Sequence, residues 1–175
     1  MAKHISDFSK LPLEIVFDLI NEQNGSALNN TEVVLGQPTV ATGSGGYNTD
    51  ILVTARPNGR YEGSVSLGYN RLDVEGFLFG DTITLTLGDA TNVSDLIPEI
   101  NTKLRANLTT DDFVDAPIGT WTGTPGETKQ LTIQMKPTSL VFIGELSLTV
   151  HVDDIPLGDV IAISALPGLI YQPPA

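Results

Sequence analysis

Residues 51–57 read Ile-Leu-Val-Thr-Ala-Arg-Pro, and residues 131–137, eighty positions later, read Leu-Thr-Ile-Gln-Met-Lys-Pro. Each stretch has the composition of a β-strand and ends on a basic residue and a proline, which is typical of a strand entering a turn. Beyond the turn, residues 61–67 and 142–148 both read aromatic, any residue, Gly, any residue, aliphatic, Ser, Leu. These paired stretches predict two β-hairpins of the same design.

The pairing extends upstream of the hairpins. An Ile-Asn pair at positions 20–21 recurs at 100–101, again eighty positions later. Residues 28–34 and 108–114 then both run from a Leu through a polar stretch to an acidic residue and two apolar residues. The same order of residues is kept at a spacing of eighty, which becomes eighty-one beyond the hairpin turn. We therefore interpret the chain as two tandem copies of one unit.

Each unit is predicted to begin with a helix, over residues 11–23 and 93–107. Apolar residues recur at helical spacing in both stretches, and Gly25 supplies a stop for the first helix. In the second helix Ser94 is the expected N-cap, and Pro98 is expected to fall within the first turn.

The rest of each unit alternates in the manner of strands. Residues 82–87 read Thr-Ile-Thr-Leu-Thr-Leu, which predicts a closing strand with one wet and one buried face. Residues 81–88 and 159–166 also resemble each other, though more weakly. We therefore predict an α+β fold, mainly β: two tandem repeats (residues 1–88 and 89–175), each a helix followed by about four antiparallel strands, packed as one compact body.

The composition excludes several classes of partner and site. The 175 residues include 9 Lys plus Arg and 21 Asp plus Glu, which gives a net charge of −12. Such a surface repels phosphate and anionic lipid, so nucleic acid and membranes are not expected partners. No cysteine is present, which excludes disulfides, thiolate metal sites and Cys nucleophiles and fits an intracellular origin. No secretory signal is visible near Met1, and the apolar stretch around residues 160–170 is too short and broken to span a bilayer.

The residues able to carry chemistry are few. His4 lies in a polar terminal segment, and His151 ends a predicted strand beside Asp153 and Asp154. A general base held by Asp154, or a metal ligand, is one interpretation of His151; a surface residue beside a turn is the one we favour. The cluster of Asp111, Asp112 and Asp115 matches no calcium-binding loop, and Asp112 corresponds to Glu32 of the first unit, which favours turn capping. Incidental calcium binding stays open.

Other signatures of a catalytic or binding site are missing from the sequence. The glycine-rich loops at residues 43–46 and 123–126 lack the Lys-Ser or Lys-Thr of a phosphate-binding loop, and no nucleophile motif surrounds Ser44. Trp121 is the single Trp and is interpreted as a packing residue, although a sugar-stacking role is the alternative. The sequence thus predicts no catalytic, cofactor-binding or metal-binding residue, no cofactor, and no enzymatic activity.

Several turn and core motifs resemble those of a protein family. Residues 19–28 read Leu-Ile-Asn-Glu-x-Asn-Gly-x-x-Leu, residues 69–73 read Tyr-Asn-Arg-Leu-Asp, and residues 166–171 read Leu-Pro-Gly-Leu-Ile-Tyr. Together with Gly36-x-Pro38 and the matching residues of the second unit, this pattern is similar to a family of virion structural proteins of large tailed bacteriophages. The resemblance implies a place in the phage particle and carries no catalytic residues.

The leading expectation is therefore a virion structural protein, most of all a head decoration or minor capsid protein that acts through protein–protein contacts. Its implied partners are other virion proteins, above all the major capsid protein, and a homo-oligomer is open. The implied location is the virion, assembled in the cytoplasm of the host bacterium. The alternatives are a tail, baseplate or neck component and, from another class, a carbohydrate-binding or adhesin module.

Overall fold

The computed structural model of the chain describes residues 8–43, 45–77, 83–119 and 127–151. Within these residues the fold is mixed α+β and mainly β, as predicted, with three helices and nine strands. In chain order the elements are α1 (Pro12–Asn24), β1 (Val33–Leu35), β2 (Thr39–Val40), β3 (Thr49–Ala55), β4 (Ser64–Tyr69), β5 (Leu72–Asp73), α2 (Val74–Phe77), β6 (Thr84–Thr86), α3 (Val93–Leu104), β7 (Thr128–Gln134), β8 (Phe142–Ile143) and β9 (Glu145–His151).

The two long helices start and stop in similar ways. An acidic side chain in the first turn accepts a hydrogen bond from the N-cap amide, from Leu11 to Glu14 (3.1 Å) in α1 and from Asn92 to Asp95 (2.9 Å) in α3. Both helices end on a left-handed residue, Gly25 at φ 61° and Arg105 at φ 51°.

Three details of the predicted second helix are wrong. It ends at Leu104 rather than at residue 107, because Arg105 adopts the left-handed conformation that terminates it. Asn92, not Ser94, is the N-cap. Pro98 lies inside the helix instead of in its first turn, so one backbone hydrogen bond is missing there.

The first hairpin forms a four-stranded antiparallel sheet. β3 pairs with β4 over six residue pairs, from Thr49↔Tyr69 to Thr54↔Ser64. β1 and then β2 pair with the other edge of β3. Ile51 and Val53 point into the core while Leu52 and Thr54 are exposed, which gives the expected alternation along the strand.

The second hairpin is completed by strands from earlier in the chain. β7 pairs with β9 antiparallel, from Thr128↔His151 to Gln134↔Glu145. On the other edge, β5 pairs with β8 and β6 pairs with β9, both in parallel. The expectation of antiparallel strands throughout is therefore wrong: β5 and β6 pair in parallel, which lets the chain cross over from the first hairpin to the second.

The two helix–hairpin segments, residues 12–69 and 93–151, share local hydrogen bonds at the spacing read from the sequence. The Asn21 amide bonds both backbone groups of Leu28 (2.8 and 2.7 Å), and Asn101 does the same to Leu108 (3.0 and 2.8 Å). Further bonds match one for one: Arg56 N to Glu32 O with Lys136 N to Asp112 O, and Ala55 N to Gly63 O with Met135 N to Gly144 O. Sequence spacing here translates into the same local geometry.

A single hydrophobic cluster runs through both segments. It takes the inner faces of α1 and α3 and the inward residues of the two hairpins, including Phe17, Ile51, Ile100, Phe113, Ile133 and Leu148. Leu85 and Ile83, on and beside β6, also lie in this cluster, whereas Thr86 is exposed. The prediction of one wet and one buried face for this strand is confirmed for residues 83–87.

The corresponding strands β4 and β9 of the two hairpins differ in how deeply their core-facing residues are buried. Leu146 and Leu148 of β9 are fully buried, while Val65, the residue of β4 that corresponds to Leu146, is 53% exposed. Val65 lies opposite Val53 and therefore on the core-facing side of its sheet. The difference coincides with the strands that lie along β8 and β9, since within the described residues β4 pairs with β3 alone.

Candidate functional site

The polar side chains that the fold buries lie where the two segments meet. Arg71, in the short connection between β4 and β5, is only 8% exposed. Its guanidinium donates to the carbonyl oxygens of Pro137 (2.7 Å) and Ser139 (3.0 Å) in the second hairpin turn. Its Nε donates to Thr49 Oγ1 (2.9 Å) in the first sheet. One side chain thus ties the first sheet to the turn of the second hairpin.

Tyr69, at the end of β4, reinforces the same junction. Its hydroxyl donates to the carbonyl oxygen of Leu140 at 2.6 Å. Burial raises the pKa of Tyr69 to about 12, although the positive charge of Arg71 acts in the opposite direction. Burial also lowers the pKa of Arg71, and the interaction with Tyr69 partly offsets this. Tyr69 therefore keeps its phenolic proton near neutral pH.

Asp112 and Ser139 form the second buried polar pair. Ser139 Oγ donates to Asp112 Oδ1 at 2.7 Å, and each residue is 1% exposed. Asp112 Oδ2 accepts from both the amide and the hydroxyl of Thr109 at 2.9 Å. Ser139 Oγ also accepts from the Phe142 amide at 3.2 Å. Asp112 therefore caps the turn at residues 109–112, which is the role that the sequence predicts for it.

The contacts of this junction are structural. A Ser–carboxylate pair at 2.7 Å has the spacing of a nucleophile and a base, but the hydroxyl is buried and already bonded on both sides. A neighbouring groove of about 200 Å³ is lined by the start of α1, by Thr109, Asp111 and Asp112, and by residues 138–140. Among the described residues, no buried side-chain nitrogen or oxygen lacks a hydrogen-bond partner. The buried polar side chains of the junction are therefore all bonded within the protein.

The other residues singled out by sequence do not converge. His151 is the last residue of β9, half-buried, and its carbonyl accepts from the Leu87 amide (2.9 Å). Asp115 accepts from the Ser94 amide (2.9 Å) in the first turn of α3, and Asp111 is exposed on the neighbouring turn. Glu32 pairs with Arg60 at 2.9 Å. Across the part of the chain that the structure describes, no three His, Asp or Glu side chains form a group that could hold a metal ion.

Some predicted residues lie outside the described residues. These are His4, Ser44, Trp121, Asp153 and Asp154, together with the loop at residues 123–126. The interpretations of His151 as a base oriented by Asp154, and of Trp121 as a packing or stacking residue, therefore stay predictions.

The central residue of the junction, Arg71, is not predicted as such by the sequence. It stands within the Tyr-Asn-Arg-Leu-Asp motif, and nothing in that motif indicates a link between the two segments. One available signal is its position between Tyr69 and Val74, which are both buried, since an Arg enclosed among buried residues needs several acceptors. Those acceptors are backbone carbonyls, which no sequence motif marks.

Comparison with known proteins gives one match. The model of a family of unknown function, DUF7941, matches residues 6–174. The chain belongs to this family. The matched residues include both helix–hairpin segments and the Arg71 junction. No curated protein and no solved structure matches the chain.

None of the helices in the described ranges is both long and apolar enough to cross a membrane.

Proposed function

We propose that this DUF7941 protein is a structural protein of a tailed-bacteriophage virion, placed on the head as a decoration or minor capsid protein. The observation that carries the proposal is the use made of its buried polar groups. Among the described residues, Arg71, Asp112 and Ser139 are buried polar side chains, and all three hold the segments or their turns together. Buried polar side chains that bond to the protein's own backbone and turns are suited to a structural role.

We further propose that residues 1–88 and 89–175 are two copies of one α+β unit. The support is the set of matched bonds: the amides of Asn21 and Asn101 each bridge to a Leu seven residues on. Gly63 at φ 81° and Gly144 at φ 88° also occupy the same place after the hairpin turn. An experimental structure in which residues 12–69 superimpose on 93–151 is the expected result, and two unlike backbone paths would contradict the proposal.

The net charge suggests the kind of partner. With a formal charge of −12, the protein is expected to dock on a basic patch of the major capsid protein. Opposite charges on the two surfaces raise the association rate, and added salt screens them. Binding to isolated shells should therefore weaken steeply as salt is added. This behaviour separates a charge-guided contact from an apolar one, which salt would leave unchanged or strengthen.

The direct test is the composition of the particle. Phage particles from a host whose phage encodes this chain would be purified through a density gradient, washed in high salt and in low salt, and analysed by quantitative mass spectrometry. We expect the protein in the low-salt particles at the copy number of a shell lattice, in the hundreds per virion. Six or twelve copies would move it to the tail, baseplate or neck. Absence from both preparations would overturn the proposal.

A further inference from the structure

Within the described residues the outer edge of β4 is uncovered, whereas the corresponding edge of β9 is covered by β6. Within the described residues, β3 is the only strand that pairs with β4. The core-facing Val65 of this strand is 53% exposed. An open edge with an uncovered apolar residue is a ready site for a further strand.

The second hairpin shows how such an edge is completed in this fold. β6 lies in parallel along β9, with Thr84, Leu85 and Thr86 opposite Thr149, Val150 and His151. The Thr149 amide donates to Ile83 O (3.0 Å) and the Leu87 amide donates to His151 O (2.9 Å). Leu85 and Val150 are both 1% exposed as a result. The strand that covers this edge comes from the chain that follows the preceding hairpin.

The chain that follows the second hairpin carries a similar sequence. Residues 73–74 are Asp-Val and residues 154–155 are Asp-Ile, and a Gly-Asp pair follows in each case, at 80–81 and 158–159. Apolar residues then alternate with small or hydroxyl residues in both stretches: Ile83, Leu85 and Leu87 in the first, Ile161, Ile163 and Ala165 in the second. Residues 152–175 lie outside the described part of the chain, so this likeness is one of sequence.

We propose that residues 159–165 of one copy of this protein add as a parallel strand to the outer edge of β4 in a second copy. Ile163 then covers the β4 edge as Leu85 covers the β9 edge. The interaction surface is the edge of β4 with Val65, and the partner is another molecule of the same chain. This inference rests on the proposed repeat of the two units, but not on a place in a virion.

The contact is head-to-tail, because the donated strand and the accepting edge are different parts of the molecule. Each copy offers one of each, so association does not stop at a dimer unless a ring closes. A donated strand of this length buries little surface, which makes a weak contact that is strengthened when many copies are held together.

The experiment uses full-length protein with one side of the contact disabled. Val65→Lys places a charge on the accepting edge, and Ile163→Asp places one on the donated strand. Sedimentation velocity of the wild type from about 1 μM to 1 mM, a range that reaches weak small interfaces, should show mass increasing with concentration. Each variant alone should stay monomeric. An equimolar mixture of the two should form heterodimers and nothing larger, because it retains one working donor and one working acceptor.

Matched controls lie on the same two strands. Ser66 of β4 is exposed on the opposite face, and Ser164 corresponds to the exposed Thr86, so Ser66→Lys and Ser164→Asp should associate as the wild type does. Circular dichroism should show all four variants folded, and Val65 and Ser66 are exposed positions at which a Lys is tolerated.

Three outcomes would overturn the inference. The first is a wild type that stays monomeric throughout the concentration range. The second is association that Val65→Lys and Ile163→Asp leave unchanged. The third is a monomer in which Ile163→Asp abolishes amide-exchange protection of β4, because that result places the strand on the edge of its own molecule. Failure of the virion proposal would appear only in particle composition, and failure of the repeat only in the superposition of the two units.

Discussion

Asn21 and Asn101 illustrate how one side chain shapes the exit from a helix. Each amide accepts from the backbone N–H and donates to the backbone C=O of a Leu seven residues later. The half-buried loop after the helix thereby receives both of its hydrogen-bond partners from one residue. An Asn fits this role because its amide carries a donor and an acceptor side by side.

Replacing either Asn by Ala is expected to lower the free energy of unfolding by about 1–3 kcal/mol, because two backbone groups lose their partners. Urea denaturation followed by circular dichroism would measure this for Asn21→Ala and Asn101→Ala. Gln23→Ala, at an exposed position of α1, is the matched control and should change the value by less than about 0.5 kcal/mol. If Asn21→Ala lowered the free energy of unfolding and Asn101→Ala left it unchanged, the two residues would have unequal roles.

Tyr69 makes stability depend on pH at the alkaline end. Its pKa is raised from 10.0 to about 12, so the folded protein keeps the phenolic proton where the unfolded chain loses it. The contribution of Tyr69 to the free energy of unfolding is fully present below about pH 10. It is lost as pH rises from there towards 12, at about 1.4 kcal/mol per pH unit.

Tyr69→Phe should therefore flatten the fall of the unfolding free energy between pH 10 and 12. It should also cost about 1 kcal/mol at pH 7 through the lost bond to Leu140. Denaturation at a series of pH values measures both effects, and absorbance near 295 nm reports the phenolate directly. Tyr47→Phe, at an exposed ring, is the control. An unchanged alkaline slope in Tyr69→Phe would assign that slope to another group.

At the scale of elements, the two hairpins keep a left-handed glycine in the same place but surround it differently. Gly63 has φ 81°, and a Cβ added to it would have nothing within 4 Å, whereas a Cβ on Gly144 would lie 2.7 Å from Asp73 Oδ1. Asp73 Oδ1 also accepts from the Glu75 amide (3.1 Å) at the start of α2. The second hairpin is therefore constrained by β5 and α2, and the first is not.

Gly63→Ala should cost about 1–2 kcal/mol from its backbone conformation alone. Gly144→Ala should lower the free energy of unfolding by about 0.5–1.5 kcal/mol more, because the new methyl group turns the Asp73 carboxylate away from the Glu75 amide. Thermal and urea unfolding of both variants would compare them. Combining Gly144→Ala with Asp73→Ala should remove the additional cost in a double-mutant cycle. Equal costs for the two single variants would mean that β5 and α2 do not press on Gly144.

Most of the elements can be predicted from the sequence. Alternation indicates the hairpin strands, and an apolar stripe with Gly25 indicates the first helix, since these signals are local. The end of α3 at Arg105 cannot be predicted, because a left-handed Arg breaks the expectation that Gly marks a helix end. The sequence also does not predict which strands β5 and β6 pair with. A strand pattern states which face is buried but not which edge the strand joins.

At the scale of the whole molecule, the sequence boundary at residue 88 does not coincide with a break in the sheets. β5 and β6 belong to residues 1–88, yet they complete the hairpin of residues 89–175. The junction is unpredictable for the same reason: Arg71 bonds carbonyls 66 and 68 positions away, and only the folded chain brings them together.

A fragment of residues 89–175 is therefore expected not to fold alone, because Leu146 and Leu148 lose the elements that lie along β9. A fragment of this size is also marginal in the core it can bury. Mixing it with a fragment of residues 1–88 should restore the circular dichroism spectrum and a cooperative melting transition. The intact chain provides the reference. Cooperative unfolding of residues 89–175 by themselves would show that β5 and β6 are dispensable to the second hairpin.

The parallel pairing of β5 and β6 with the last hairpin also has a consequence during biosynthesis. About 65 residues separate Leu85 from its partner Val150, so a ribosome adding about 5–20 residues per second needs roughly 3–13 s to supply that partner. Throughout that interval Ile83 and Leu85 emerge without the strand that later covers them. The threonines between and beside them, Thr84 and Thr86, give the waiting strand one polar face. The speed of translation therefore sets how long this apolar strand stays uncovered during synthesis.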